Sequence, residues 1–271
     1  IAKVNAAHFA AGDSVLFQFD QLALTGRCGR VCRNMAGASR ISDKGVRVDG
    51  LHLVTGPQRH GSVGSEVRGD IDLRTHGLGD FDDIETKVFI QAKLDSSRVQ
   101  FADVALFAPG LEGVDYSVAL RGTVQGTVNE LKGRRMDLYF GERSAFHGDV
   151  GMSGLPDIQN TFIVLDAREI HTDPMDLATL PVPPFLQKRT LMVPPEVGRL
   201  GRMSFKGNFT GFVNSFTTYG QATTAAGPLS SDISFDRDTV TGYFQLRGKL
   251  ATTGFDLGKV LATAAVGRIA M

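Results

Sequence analysis

The sequence predicts an all-β fold: an elongated, strongly curved antiparallel sheet with a few short helices and one proline-rich insert. Three observations carry this reading. Apolar and polar residues alternate with period two through most of the 271 residues, the spacing that sends successive side chains to opposite faces of a strand. Glycine, at 32 residues, falls inside the alternating runs rather than between them, where it marks bulges, bends or close backbone approach. One pattern is also written twice without a gap, as LRGTVQGTVNEL from Leu120 to Leu131 and as FKGNFTGFVNSF from Phe205 to Phe216.

In the repeated pattern one face is apolar and the other wet. Leu120, Val124 and Val128 in the first copy, and Phe205, Phe209 and Val213 in the second, share the apolar face with Gly122, Gly126, Gly207 and Gly211. Arg121, Thr123 and Asn129 answer Lys206, Asn208 and Asn214 on the other. A strand of this kind covers one face of a sheet with a half that must leave water. These six apolar residues are therefore the candidate functional lining.

The rest of the chain follows the same rhythm. Val15, Phe17 and Phe19, then Val46, Val48, Leu51 and Leu53, read as short strands of a meander separated by turn signals at Gly12-Asp13, Gly37 and Ser42-Asp43. Val63, Val67, Ile71 and Leu73 suggest two further runs. Asp80, Asp82, Asp83 and Glu85 form an acidic cluster, either a carboxylate constellation for metal or acid-base work or the caps of a short helical turn, where carboxylates are favoured; capping is the reading taken, because no histidine or further carboxylate cluster completes a site. Alternation returns at Val88, Ile90, Ala92 and Leu94, and Phe101 to Gly113 has helical spacing cut short by Pro109-Gly110. Met136 to Asp157 alternates again, and Thr161 to Thr172 reads as one long strand or a pair.

Six of the 10 prolines then fall between Pro174 and Pro195, and proline cannot donate to a ladder. Leu180, Val182, Phe185, Leu191, Met192 and Val193 make this segment apolar enough to cap a face, with one helical turn from Pro195 to Leu200. Strands resume after it, with a turn read at Tyr219-Gly220 and a closing helical pattern from Phe255 to Val266. The expected organisation is a first sheet segment over 1–173, an insert or lid over 174–200 and a second sheet segment over 201–271.

Composition narrows the function. Lys plus Arg and Asp plus Glu are equal at 29 each, which leaves out the basic surplus that drives nucleic-acid binding. No nucleic-acid partner is expected. Cys28 and Cys32 lie four residues apart in a strand-like context, too far to bridge within it, and they have no companion ligands at metal spacing. The six histidines, His8, His52, His60, His76, His147 and His171, are scattered. GSVGS at Gly61 to Ser65 places its serine one position away from a nucleophile elbow. The reading contains no catalytic residue, metal or cofactor, and the protein is expected not to be an enzyme. No window is long and apolar enough to span a bilayer as a helix. The chain opens on Ile1 in mid-pattern and is expected to be an internal piece of a longer protein.

A long sheet with one apolar face and no covering helices can pair with a second sheet, close into a barrel, or leave an open trough. The segments GLPDIQNTFIVLDAREIHT, LATLPVPPF, LGRMSFKGNFTGFVNSFTTYGQATTAAGPLSSDISF and GKLATTGFDLGKVL resemble the translocation and assembly module TamB family of the AsmA-like group, in its Bacteroidetes form. The likeness is best from Leu120 to Leu261. It implies the third option, an open hydrophobic groove of the β-taco kind, which conducts phospholipids between inner and outer membranes in support of outer-membrane biogenesis. It further implies a periplasmic location and a parent protein anchored in the inner membrane. The partners implied are phospholipid acyl chains and, through regions outside this chain, a BamA-like outer-membrane protein. The alternative reading is a structural or adhesive β-sandwich or solenoid module whose apolar face is ordinary dry core.

Overall fold

The computed structural model describes residues 2–11, 14–25, 31–56, 64–105, 109–237, 241 and 243–270. The chain divides into two compact units, Ile1–Arg135 and Met136–Met271. Both are mostly β, and in both the strands follow one another in sequence order as an open antiparallel meander.

The first unit contains β1 (Ala2–Ala11), β2 (Ser14–Thr25), β3 (Val31–Ser42), β4 (Gly45–Thr55), β5 (Glu66–Arg74), β6 (Phe89–Gln100) and β7 (Ser117–Gly126). β8 (Glu130–Phe140) runs from the first unit into the second. The two alternating runs expected between Ser62 and Leu78 resolve into the single strand β5, and Val63 lies outside the described residues. Between β5 and β6 the acidic cluster forms a 3₁₀ turn, Leu78–Asp83, followed by α1 (Ile84–Lys87). Its carboxylates do not cap these turns by accepting the helical N–H groups. Asp80 instead accepts the His76 backbone N–H at 2.8 Å, and Asp83 accepts the Thr86 hydroxyl at 2.7 Å. The helix expected from Phe101 is one turn, α2 (Phe101–Val104), with a 3₁₀ turn at Pro109–Leu111. Leu106 and Phe107 lie outside the described residues.

The second unit continues with β9 (Ser144–Ser153), β10 (Phe162–Thr172), α3 (Pro174–Leu177), α4 (Pro195–Arg199), β11 (Met203–Phe212), β12 (Ser215–Thr224), β13 (Gly227–Arg237) and β14 (Phe244–Ala251). A separate ribbon of β15 (Phe255–Asp256) and β16 (Arg268–Ile269) brackets α5 (Leu257–Leu261). Thr161 to Thr172 is thus one strand rather than a pair. The proline-rich segment stays out of the ladder: Val182 donates to the Arg189 carbonyl at 3.0 Å and Leu191 to the Leu180 carbonyl at 2.9 Å, closing a small loop of its own. Leu180, Val182, Phe185 and Val193 are half-buried there, whereas Met192 is 90% exposed.

A turn at Tyr219-Gly220 does not form. Both residues sit inside β12, with Tyr219 paired to Asn208 and Gly220 to Gly207. Glycine here serves close approach between strands rather than chain reversal, because a Cβ on Gly207 would lie 2.1 Å from the Tyr219 carbonyl oxygen.

Each unit ties a short helix back to the start of an earlier strand through a carboxylate. In the first unit Asp103 of α2 accepts the hydroxyls of Thr55 at 2.7 Å and Ser65 at 2.6 Å, and the Ser65 N–H at 3.1 Å. In the second, Asp176 of α3 accepts the N–H groups of Glu142 at 2.9 Å and Arg143 at 2.7 Å, and the Ser144 hydroxyl at 2.8 Å. Ser65 and Ser144 are both buried; Ser65 immediately precedes β5 and Ser144 opens β9. Burial works against the charge of Asp176, but the two N–H donors and the hydroxyl outweigh it and hold the carboxyl below its ordinary range. A further apolar cluster of Ala226, Phe255 and Val260, with Leu200, Leu229, Leu257 and Ile269 against it, seats α5 in the second unit. Arg199 of α4 donates to the Val260 carbonyl at 2.8 Å and joins the two helices.

Candidate functional site

The two copies of the repeated pattern take the same backbone path in their own units. Gly122 and Gly126 have φ of 142° and 125°, and Gly207 and Gly211 have φ of 154° and 140°, a region that L side chains rarely enter. A Cβ on Gly126 would lie 2.0 Å from the Glu130 carbonyl oxygen, and one on Gly211 2.4 Å from that of Ser215. The reversals are therefore that tight, and the strands end at Gly126 and Phe212 although the sequence alternation runs on. Val128 lies in the turn after β7, and Val213, half exposed, lies in the turn after β11. Leu120 and Val124 on β7, and Phe205 and Phe209 on β11, are strand residues on the expected apolar face, each half-buried.

In the first unit Val124 lies in the register row Ser39, Val48, Ile71, Ala92, Val124 across β3 to β7. Leu120 pairs with Ser97, beyond a bulge in β6. Ser39 is the one polar member of the Val124 row; it is 5% exposed and its hydroxyl has no hydrogen-bond partner among the described residues.

In the second unit Phe209 pairs with Leu165 of β10, Phe205 with Ile170, and the row through Gly211 continues to Phe216, Phe235 and Leu246. The aromatic rings form a ladder on this face. Phe209 and Phe216 have centroids 4.8 Å apart, Phe216 and Phe235 5.0 Å, and Phe235 and Phe244 6.0 Å, the last two pairs stacked. Such offset contacts are each favourable by ~0.5–1.5 kcal/mol beyond area burial. Phe209, Phe216 and Phe235 are half-buried, while Phe244 on β14 is 68% exposed. The ladder of Phe209, Phe216, Phe235 and Phe244 is only partly visible in the sequence, because Phe216 ends the repeated pattern on its wet parity and Phe235 and Phe244 stand outside it, joining by register alone.

The opposite face is polar. In the first unit Arg47 pairs with Asp49, Arg68 with Glu66, and Arg74 with Asp72, all near neighbours along one strand. His52 and Arg68 both donate toward Glu66 and hold its carboxyl below the ordinary range. Each described histidine side chain faces one carboxylate: His52 with Glu66 at 3.0 Å, His76 with Asp80 at 3.7 Å, His147 with Asp137 at 2.7 Å and His171 with Glu169 at 3.2 Å. Among the described residues no three His, Cys, Asp or Glu side chains converge as metal ligands would. His60, Cys28 and Gly61 to Val63 lie outside the described residues, as do the side chains of His8 and Cys32.

These features define a class: an open antiparallel meander protein with segregated faces, one apolar and aromatic, the other polar and ion-paired. No protein-family model, curated protein or solved structure matches the chain.

Proposed function

We propose that the apolar faces bind phospholipid acyl chains and that the chain is a segment of a hydrophobic conduit, an open groove of the TamB and AsmA-like kind. In this reading its parent is a periplasmic protein anchored in the inner membrane. The observation that carries the reading is the ladder from Phe209 through Phe216 and Phe235 to Phe244: four rings on consecutive strands, half-buried by one another and open at the last strand. Acyl chains need apolar contact and no directional bonds, and stacked phenylalanine rings supply that kind of surface. A 16-carbon chain leaving water gains about 13 kcal/mol at ~0.8 kcal/mol per methylene. A lipid leaving a bilayer gives up about the same amount, so exchange between bilayer and groove is close to balanced. A conduit therefore needs continuity rather than affinity, and no catalytic group, metal or cofactor enters the reading. A BamA-like outer-membrane partner would engage regions beyond this chain.

Mass spectrometry of the purified chain, extracted without detergent, tests the reading. Co-purifying phospholipid, displaced by added fatty acid, is the expected result. A lipid-free protein that takes up no fatty acid would instead favour the alternative, a structural or adhesive module with a dry core.

A further inference from the structure

On the polar face of the second unit Tyr219 stands among polar side chains that line one shallow cleft. Asn208, Tyr219, Asp232 and Lys249 form one register row across β11 to β14. Lys206, Gln221 and Ser230 lie in the row two residues along. Between the rows run the backbones of Gly207 and Gly220, and the whole forms a shallow cleft of about 370 Å³, within the range of small-ligand pockets, ~300–1,000 Å³. Tyr219 is 68% exposed. Some arginines on the described polar faces are spent on neighbours, Arg47 on Asp49, Arg74 on Asp72 and Gln91, and Arg247 on Gln245. Here Lys206 approaches Glu169 only at 4.0 Å, and no side-chain hydrogen bond joins Asn208, Tyr219, Gln221, Ser230, Asp232 or Lys249 to another described residue.

The chemistry of the set selects its ligand. Two carboxamides offer both donors and acceptors, Asp232 accepts, Ser230 does both, and the two lysines donate. In their midst stands one solvent-facing aromatic plate. A sugar ring has the matching form, since one face of C–H bonds lies flat on an aromatic ring while hydroxyls around its edge both donate and accept. Acyl chains would leave these polar groups unpaired, and two lysines offset by an aspartate are too few cations for a nucleic-acid backbone. We propose that this cleft binds the pyranose ring of a glycan, stacked on Tyr219 and held by Asn208, Gln221, Asp232 and Lys249. The site is independent of the acyl-chain reading, because it occupies the opposite face of the same strands.

The test is an oligosaccharide array probed with the purified chain, followed by saturation-transfer NMR with methyl β-glucoside, N-acetylglucosamine and glucuronic acid. Saturable binding of at least one array glycan or soluble sugar is expected, with saturation strongest on the ring C–H protons. Tyr219→Thr, a strand-compatible change at an exposed position, is expected to weaken binding about tenfold, the loss of one aromatic contact. Tyr219→Phe should retain it, and Asp232→Ala should weaken it with the ring intact. Absence of saturable binding to every array glycan and all three sugars would overturn the proposal, as would undiminished binding by Tyr219→Thr.

Discussion

Phe205 closes its ring over Gly220 of the neighbouring strand. A Cβ on Gly220 would lie 2.7 Å from the ring's Cζ, and one on Gly207, the register partner of Gly220, would lie 2.9 Å from the same atom. Paired glycines on adjacent strands thus form a slot that one aromatic ring fills, a known means of covering glycine in sheets.

Alanine at either glycine is expected to destabilise the second unit. At Gly220 the added methyl meets both the ring and the Lys206 carbonyl oxygen at 2.3 Å, an overpacking cost of ~1–3 kcal/mol. At Gly207 the positive φ of 154° adds strain, for a further ~1–3 kcal/mol. Denaturant unfolding should therefore rank Gly207→Ala below Gly220→Ala, and both below wild type. A Phe205→Ala background should relieve part of the Gly220→Ala cost but not all of it, since the clash with backbone remains. Strict additivity in that cycle would contradict the contact.

The Asp176 carboxylate should make the second unit acid-sensitive. Its folded pKa is depressed, so its stabilisation is complete above the unfolded value of ~3.9 and is lost as pH falls through the folded one. Unfolding curves between neutral pH and pH ~2 should thus steepen below pH ~4. Asp176→Asn is expected to be less stable at neutral pH by roughly 1–3 kcal/mol, because its amide cannot accept from all three donors. It should also show a flatter acid limb, and an unchanged limb would contradict the assignment.

Ser65 and Ser144 play matching parts in the two units, each donating its hydroxyl to the aspartate of a later helix turn. Ser65→Ala and Ser144→Ala should each cost about 1.5–3 kcal/mol, since the bond removed is to a charged acceptor. Hydrogen exchange should localise the first loss to Thr55, Ser65 and Gln100, whose N–H donates to the Ser65 hydroxyl at 2.9 Å.

Ser39 offers the opposite test. Its buried hydroxyl has no partner among the described residues, so Ser39→Ala should stabilise the first unit by about 1 kcal/mol by removing an unmet polar group from an apolar row. A loss of stability in thermal unfolding would mean that the hydroxyl is satisfied in solution.

Much of this architecture was legible in the residues. Period-two alternation located the strands, and the repeated pattern located β7 and β11 together with glycines that share one unusual conformation. What escaped was set by contacts across the sheet. Gly220 reads as punctuation in a one-dimensional string, but beside Gly207 and under Phe205 it is a packing position. Val128 and Val213 continue the alternation after the chain has already reversed. The Phe209 to Phe244 ladder depends on register, and the links of Asp103 to Ser65 and Asp176 to Ser144 span too many residues for spacing to reveal them.

The central claim is that the aromatic face, and not the polar one, meets acyl chains. A photoreactive phenylalanine analogue placed at Phe209 or Phe216, with matched controls at Asn208 and Thr217 on the other face, tests it in the presence of phosphatidylethanolamine and phosphatidylglycerol vesicles. The account expects lipid adducts at Phe209 and Phe216, suppressed by Phe209→Asp in the Phe216-labelled chain while the β signal in circular dichroism is kept. Adducts equal on both faces, or none on the aromatic one in a folded chain, would contradict it.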